Sequence, residues 1–370
     1  MNRSTISSAR RVVIKIGSSS LTGADAAGLR PEAVDALVDV VAKLRGRGAE
    51  VAIVSSGAIA AGLTPLGLET RPKDLATQQA AAAVGQGLLI HRYTESLRRH
   101  NLVGSQVLLT IDDVVRRSHY QNAHRTLNRL LQLGVVPIIN ENDTVGTQEI
   151  RFGDNDRIAA LVSHLIGAEL LILITDVDAL YDAPPSDSNA KVINEVKDVA
   201  SFQGAQIGGA GTKIGSGGMI TKLEAARIVA GAGIPMLLTS LAKLPSALAG
   251  EMAGTFFSAA ESKKPSRLLW LEHAATPRGR LVVDAGAMRA LQERGVSLLP
   301  AGVTQVTGEF VAGDTVEIVG PSGELIARGL VGFDAEEIPA MLGRSTKDLA
   351  RELGPEFERE LVHRDDLVLL

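Results

Sequence analysis

Residues 169–176 read Glu-Leu-Leu-Ile-Leu-Ile-Thr-Asp (ELLILITD), and this octet decides the fold. A strand with one solvated face alternates apolar and polar residues. A run that is apolar on both sides of the pleat needs cover on both faces, as in a parallel sheet flanked by helices. The run closes on Thr175 and Asp176. Polar groups at the carboxyl end of a buried strand stand where open α/β sheets place their sites.

Outward from the octet the pattern repeats. Residues 135–139 (VVPII) form a short apolar run that reads as another buried strand, and 140–156 (NENDTVGTQEIRFGDND) follow it. That segment gathers the carboxylates Glu141, Asp143, Glu149, Asp154 and Asp156 with the amides Asn140, Asn142 and Asn155. Residues 157–166 are apolar on one face and predict a helix with 154–156 near its start. A solvated loop with an Asx-turn and a helix cap would have the same composition, so both readings stand at this point.

Residues 12–16 are a β-branched run holding Lys15, and Gly17-Ser18-Ser19-Ser20 follow at once. A lysine near the end of a core strand can reach a phosphate as a point charge; on an edge strand it would face water instead. Residues 31–45 carry Val34, Leu37, Val38, Val41 and Leu44 at helical spacing, with Pro31 suited to the first turn. The apolar run 51–54 leads into small residues at 55–62, including Ser56 and Gly57. Backbone N–H groups there can meet a phosphate or a carboxylate, or the small residues can simply permit close helix packing. The alanine-rich stretch 77–89, with Gly85 and Gly87, can line a site or a subunit contact, and reads first as packing. Residues 104–110 predict a strand and 119–133 a helix.

Residues 204–221 are the most glycine-dense part of the chain, and the predicted helix 219–232 carries Lys222. Such a loop can fold over phosphates with a lysine reaching in, or lie mobile on the surface. It has neither Walker A spacing nor a dinucleotide fingerprint. Further strands are predicted at 234–239 and 268–271. Strand and helix thus alternate from 12 to 271, which implies an α/β domain over 1–272 with a mainly parallel sheet. Residues 273–279 read as a linker. From 280 to 370 short strands separated by turns (280–283, 303–307, 315–319, 325–330) and a helix at 285–294 predict a small β-rich domain.

Composition narrows the function. The chain has no cysteine, which excludes disulfides, thiolate metal sites and a cysteine nucleophile. Its histidines show no metal-ligand spacing, so no protein metal set is expected. Neither a secretory leader nor an apolar run of membrane-spanning length is visible, and a cytoplasmic location without membrane association is the expectation. Residues 276–370 hold ten Lys and Arg against sixteen Asp and Glu, a poor balance for binding RNA.

Taken in order, VVIKIGSS, VSSGAIAAG, AAVGQ, VVPIINEND, FGDND, LLILITD followed by LY, and GSGGMITKLEAA resemble the glutamate 5-kinases of the amino acid kinase family. GRLVVDAGA, ERGVSLLPAGV and VHRDDLVL resemble the PUA domain that follows it in that group. The resemblance covers nearly the whole chain. It implies ATP-dependent phosphorylation of the γ-carboxylate of L-glutamate with Mg2+, the opening step of proline biosynthesis, and feedback by proline. By resemblance Lys15 and Lys222 contact the ATP phosphates and Asp156 organises the two lysines. Ser56, Asp143 and Asn155 form the glutamate-binding set, with Asn140 and Asp154 in support. Thr175, Asp176 and the run Ser216, Gly217, Gly218, Met219, Ile220, Thr221 and Lys222 form the nucleotide segments. Ile220 departs from the family pattern, where a small polar residue is common. A homo-oligomer is implied, and the next enzyme of the pathway is an implied partner. A sibling kinase acting on another carboxylate, and RNA binding by the C-terminal domain, are the competing readings.

Overall fold

In the computed structural model the described residues are 3–22, 28–110, 113–114, 117–145, 154–183, 187, 189–199, 202, 218–260 and 277–370. The chain divides into two compact units, Met1–Lys263 and Lys264–Leu370.

The first unit is built on β1 (Arg11–Ile16), β2 (Glu50–Ser55), β3 (Gly104–Leu109), β4 (Val136–Glu141) and β5 (Leu170–Ile174), followed by the ribbon of β6 (Leu180–Tyr181) and β7 (Val192–Ile193), then β8 (Glu195–Val196), β9 (Met236–Thr239) and β10 (Thr255–Phe257). One eight-stranded sheet runs β3-β4-β2-β1-β5-β9-β10-β8. The pairings from β3 through β9 are all parallel, and β10 joins β9 antiparallel. The octet behaves as its pattern requires: every residue of β5 is buried. Its neighbour β1 is equally enclosed, with Lys15 opposite Val54 on one side and Leu173 on the other. Lys15 is therefore on a central strand, and the edge-strand reading fails.

On one face, Ile14, Ile16, Ile53 and Ile172 share a core cluster with Val34, Leu37, Val38 and Val41 of the helix Pro31–Gly46. Each fully buried side chain of this kind is worth about 1.5–3 kcal/mol. The helix starts with proline at its first position, where the fixed φ suits a helix and no N–H is needed.

Beyond β2 the chain turns at Gly57, whose φ of 107° only glycine adopts easily, into the short helix Ala58–Leu63. That helix lies against the 24-residue helix Leu75–Arg98, backbone on backbone. A Cβ on Gly62 would stand 2.0 Å from the Ala81 carbonyl oxygen, and one on Gly85 would stand 1.8 Å from the Ala58 carbonyl oxygen. The packing reading of 77–89 is thus met by close backbone approach at Gly62 and Gly85.

The second unit has a five-stranded sheet, β12-β11-β13-β14-β15, from β11 (Gly279–Val283), β12 (Val303–Gly308), β13 (Thr315–Val319), β14 (Leu325–Leu330) and β15 (Leu367–Leu369). Leu281, Val283, Ile318, Phe333, Ile338 and Leu349 are in its core. Asp284 caps the helix Ala285–Arg294 by accepting from the Ala287 N–H at 2.7 Å.

Several boundaries differ from the sequence reading. β4 runs two residues past the apolar stretch, so Asn140 and Glu141 are strand residues. The end of the predicted linker belongs to the second unit: the Arg278 N–H donates to the Thr315 carbonyl at 2.8 Å, and Gly279 opens β11. The rest of that linker, 273–276, and the predicted strand 268–271 lie outside the described residues. The strand β10, the edge strand β8 beside it, the ribbon and β15 are two or three residues long and carry no sequence signal of the kind used above. Among the described residues no helix is long and apolar enough to cross a membrane.

Candidate active site

The carboxyl ends of β1, β2, β4 and β5 deliver Lys15, Ser56, Asn140 and Thr175 in turn. The helix Asp154–Leu165 adds Asn155 and Asp156 from its first turn, and the helix Gly218–Gly231 adds Thr221 and Lys222. Two polar clusters result.

In the first, Asp156 bridges two lysines. Its Oδ1 lies 2.5 Å from Lys15 Nζ, and its Oδ2 lies 3.3 Å from Lys222 Nζ. The Thr221 hydroxyl donates to Oδ2 at 2.9 Å, and Lys222 Nζ also donates to the Gly218 carbonyl at 2.8 Å. Asp156 is 1 % exposed and Lys15 5 %, so this is a buried ion pair that needs complete charge compensation. Burial alone would raise the Asp156 pKa, but Lys15 and Lys222 outweigh it and hold the carboxyl below its ordinary value. For Lys15 burial wins, drawing the ammonium below the ordinary lysine value against the pull of Asp156. With all three ionised, the cluster carries one net positive charge, suited to a phosphate.

The second cluster is a chain of amides. Asn140 Nδ2 donates to Gln86 Oε1 at 2.8 Å. Asn140 Oδ1 accepts from the Glu141 backbone N–H at 2.9 Å and from Asn155 Nδ2 at 3.0 Å. Asn155 Nδ2 also donates to Ser56 Oγ at 3.1 Å. Beneath Ser56, the buried Ser55 hydroxyl meets Tyr93 OH at 2.9 Å. Burial pushes the Tyr93 phenol well up, against the Ser55 hydrogen bond, and keeps it neutral.

Of the residues singled out from the sequence, Lys15, Asp156, Thr221 and Lys222 meet in the first cluster, and Ser56, Asn140 and Asn155 in the second. Thr175 is buried and its hydroxyl donates to Asp176 Oδ1 at 2.8 Å. Asp143 is half-buried; burial lowers the pKa of Arg71 while the charge of Asp143 opposes it, which sets those two near each other. Met219 is half-buried and Ile220 is 66 % exposed. The Asp154 side chain and residues Ser216 and Gly217 lie outside what is described. Gln86 and the Glu141 N–H were missed. The sole sequence signal for Gln86 was its place in AAVGQ, beside a glycine that permits close approach.

Comparison with known proteins agrees with this architecture. Residues 10–240 match the Amino acid kinase family and 279–353 match the PUA domain. Glutamate 5-kinase of Streptomyces coelicolor is 58% identical over 369 residues, covering 100% of this chain and 98% of its own length. That of Streptomyces avermitilis is 59% identical over 370 residues, with the same coverage. Carbamate kinase from Giardia lamblia bound to AMP-PNP superposes with a TM-score of 0.50 at 17% identity, over 68% of this chain and 99% of that one, a likeness of fold alone. The full-length relatives make the chain a phosphotransferase with a carboxyl group as acceptor. The chain belongs to the amino acid kinase family, in its glutamate 5-kinase branch with a C-terminal PUA domain.

Proposed function

We propose that this chain transfers the γ-phosphoryl group of ATP to the γ-carboxylate of L-glutamate, giving γ-glutamyl phosphate and ADP. The observation that carries the reading is the adjacency of Asn155 and Asp156 on one helical turn. The first belongs to the amide chain and the second to the lysine bracket, so acceptor and phosphoryl donor are addressed side by side.

The chemistry asks little of the protein beyond placement and charge. A glutamate side chain, with an ordinary pKa of about 4.3, is already ionised at neutral pH and needs no general base. One carboxylate oxygen bonds to the γ-phosphorus as the bond to the β–γ bridging oxygen breaks, and ADP leaves with that electron pair. Lys15 and Lys222 neutralise the oxygens that gain charge, and Asp156 holds both lysines in place. Thr175, Asp176 and 216–222 are assigned to the nucleotide, and Ser56, Asn140, Asp143, Asp154 and Asn155 to glutamate, with Asp143 toward the α-ammonium group.

Magnesium fits as an ion carried on the ATP phosphates. Among the described residues no three His, Asp or Glu side chains gather as a metal site, and both oxygens of Asp156 are engaged by lysines. Mg2+ is commonly held through phosphates with few protein carboxylates. Lys15 and Lys222 would hold the phosphates that carry it, and the ion would supply further charge neutralisation.

Family membership also supports a place at the head of proline biosynthesis, with proline as a feedback inhibitor, self-association, and handover of the labile acyl phosphate to the next enzyme. Dependence on ATP supports the cytoplasm as its compartment. For 280–370 we favour a regulatory or structural domain over an RNA-binding one on the acidic balance of that segment. The test is an ATP-dependent hydroxamate assay, in which hydroxylamine traps the acyl phosphate, run over a panel of acidic amino acids with and without proline. Selective product from glutamate is expected; product from another acid in its place would overturn the assignment. Asp143→Ala should raise the glutamate KM and leave the ATP KM unchanged.

A further inference from the structure

The polarity of the amide chain is fixed by an atom that cannot flip. An amide side chain exchanges donor and acceptor by turning over, so its orientation follows from its partners. The Glu141 backbone N–H is only a donor, and it points at Asn140. Asn140 must therefore present its oxygen there, and its nitrogen must face Gln86. Gln86 must answer with its oxygen. Asn155, which shares the Asn140 oxygen, must approach with its nitrogen. Three amides are thus locked in sequence by one peptide N–H.

The lock leaves two atoms over. Gln86 Nε2 and Asn155 Oδ1 are buried and have no hydrogen-bond partner among the described residues. Buried polar atoms in native proteins nearly always find a partner, so an orphaned pair at a site points to a ligand that completes it. One orphan is a donor and the other an acceptor. An α-amino acid offers the complementary pair: a carboxylate that accepts and an ammonium that donates.

We infer that Gln86 is a further substrate-binding residue, whose Nε2 donates to the α-carboxylate of the amino-acid substrate while Asn155 Oδ1 accepts from its α-ammonium group. This rests on the proposed glutamate reading and extends it to the end of the substrate remote from the chemistry. It also explains the backbone contact at Gly85. The next residue along the helix is Gln86, and the Gly85–Ala58 approach holds it beside the Ser56 turn.

Gln86→Glu separates this role from a merely structural one. A glutamate at 86 still accepts from Asn140 Nδ2, so the amide chain stays intact, but its second oxygen replaces the donor and repels a carboxylate. The measurement is the KM for L-glutamate and for isoglutamine, its α-carboxamide, in the hydroxamate assay. In the variant the glutamate KM should rise about ten- to a hundredfold, the usual worth of a hydrogen bond to a charged group. The ATP KM should stay unchanged. The preference for glutamate over isoglutamine should shrink or invert, because an amide N–H can donate to Glu where a carboxylate cannot. An unchanged glutamate KM with an unchanged preference would overturn the assignment. If Gln86→Glu does not fold, Gln86→Met removes the donor together with the oxygen that accepts from Asn140, so the deciding readout is the preference for glutamate over isoglutamine, which should flatten; a wild-type preference in that variant would overturn the assignment equally. Failure of the wild type to turn over glutamate would instead count against the substrate reading. The same ratio is then measured with the acidic amino acid that is used and its α-amide: a reduced preference in the variant supports the role of Gln86, and an unchanged one overturns it.

Discussion

Asp156→Asn is the most informative single change, because it keeps the shape of the lysine bracket and removes its charge. Lys15 and Lys222 lie 2.5 Å and 3.3 Å from the two oxygens. At an effective dielectric of about 20 these contacts carry roughly 7 and 5 kcal/mol of attraction. Most of that offsets the cost of taking the charges out of water, and removing one member of a buried pair leaves a net loss of about 3–5 kcal/mol. Asparagine can still accept from the Thr221 hydroxyl, so the loss should fall near 3 kcal/mol. For a unit of this size that lowers the thermal midpoint by about 6–12 °C. The activity should respond differently. Without Asp156 nothing offsets the burial that draws the Lys15 pKa down, and kcat falls about a hundredfold because neither lysine is held where charge develops. Thermal unfolding and steady-state ADP release measure the two effects. A double variant that also replaces Lys15 with Met should recover much of the stability but none of the turnover, since it removes the orphaned charge along with its function. A single variant with wild-type turnover and a midpoint shift under about 2 °C would refute the bracket as described.

Lys222→Ala should lower kcat by about a hundredfold or more while leaving the glutamate KM near its wild-type value, checked in the same ADP-release assay. Gly85→Ala places a methyl group 1.8 Å from a backbone carbonyl oxygen, which no side-chain rotation can relieve; the thermal midpoint should drop by an amount matching about 1–3 kcal/mol or more, and the glutamate KM should rise as Gln86 and Ser56 part. Acid titration should report Asp156: its folded pKa lies below the ordinary 3.8, so its contribution is complete above that value and is lost as the pH falls through the lower folded one. The midpoint difference between wild type and Asp156→Asn should therefore be constant above about pH 5 and close in stronger acid.

What could be read from the sequence follows from the range of the forces involved. β5 was legible because burial on both faces leaves no polar alternation, and the same rule found β1, β2 and β4. The end of β4 was misjudged because Asn140 and Glu141 break the apolar pattern while the backbone continues to pair with β3. β8 and β10 are two and three residues long, too short for any periodicity to show. Lys15 and Lys222 were candidates from their places beside small-residue turns, and Asp156 took its role from family resemblance; pattern alone also left Lys15 at home on a wet edge. The role of Gln86 was not legible, although its stretch could be read as lining a site. Its meaning depends on Asn140, 54 residues away, and on the direction of one peptide N–H. Pattern rules register apolar spacing, and they are blind to which end of an amide points where.

The lysine bracket also sets an order of events during synthesis. Asp156 joins a lysine far behind it in the chain and another 66 residues ahead. At about 5–20 residues per second, a ribosome needs roughly 3–13 seconds to pass from one to the other. Through that interval Lys222 is missing, and domains generally fold as units, so the bracket closes after that lysine has been made. The surplus positive charge of the cluster therefore waits on the helix Gly218–Gly231, which supplies its second lysine.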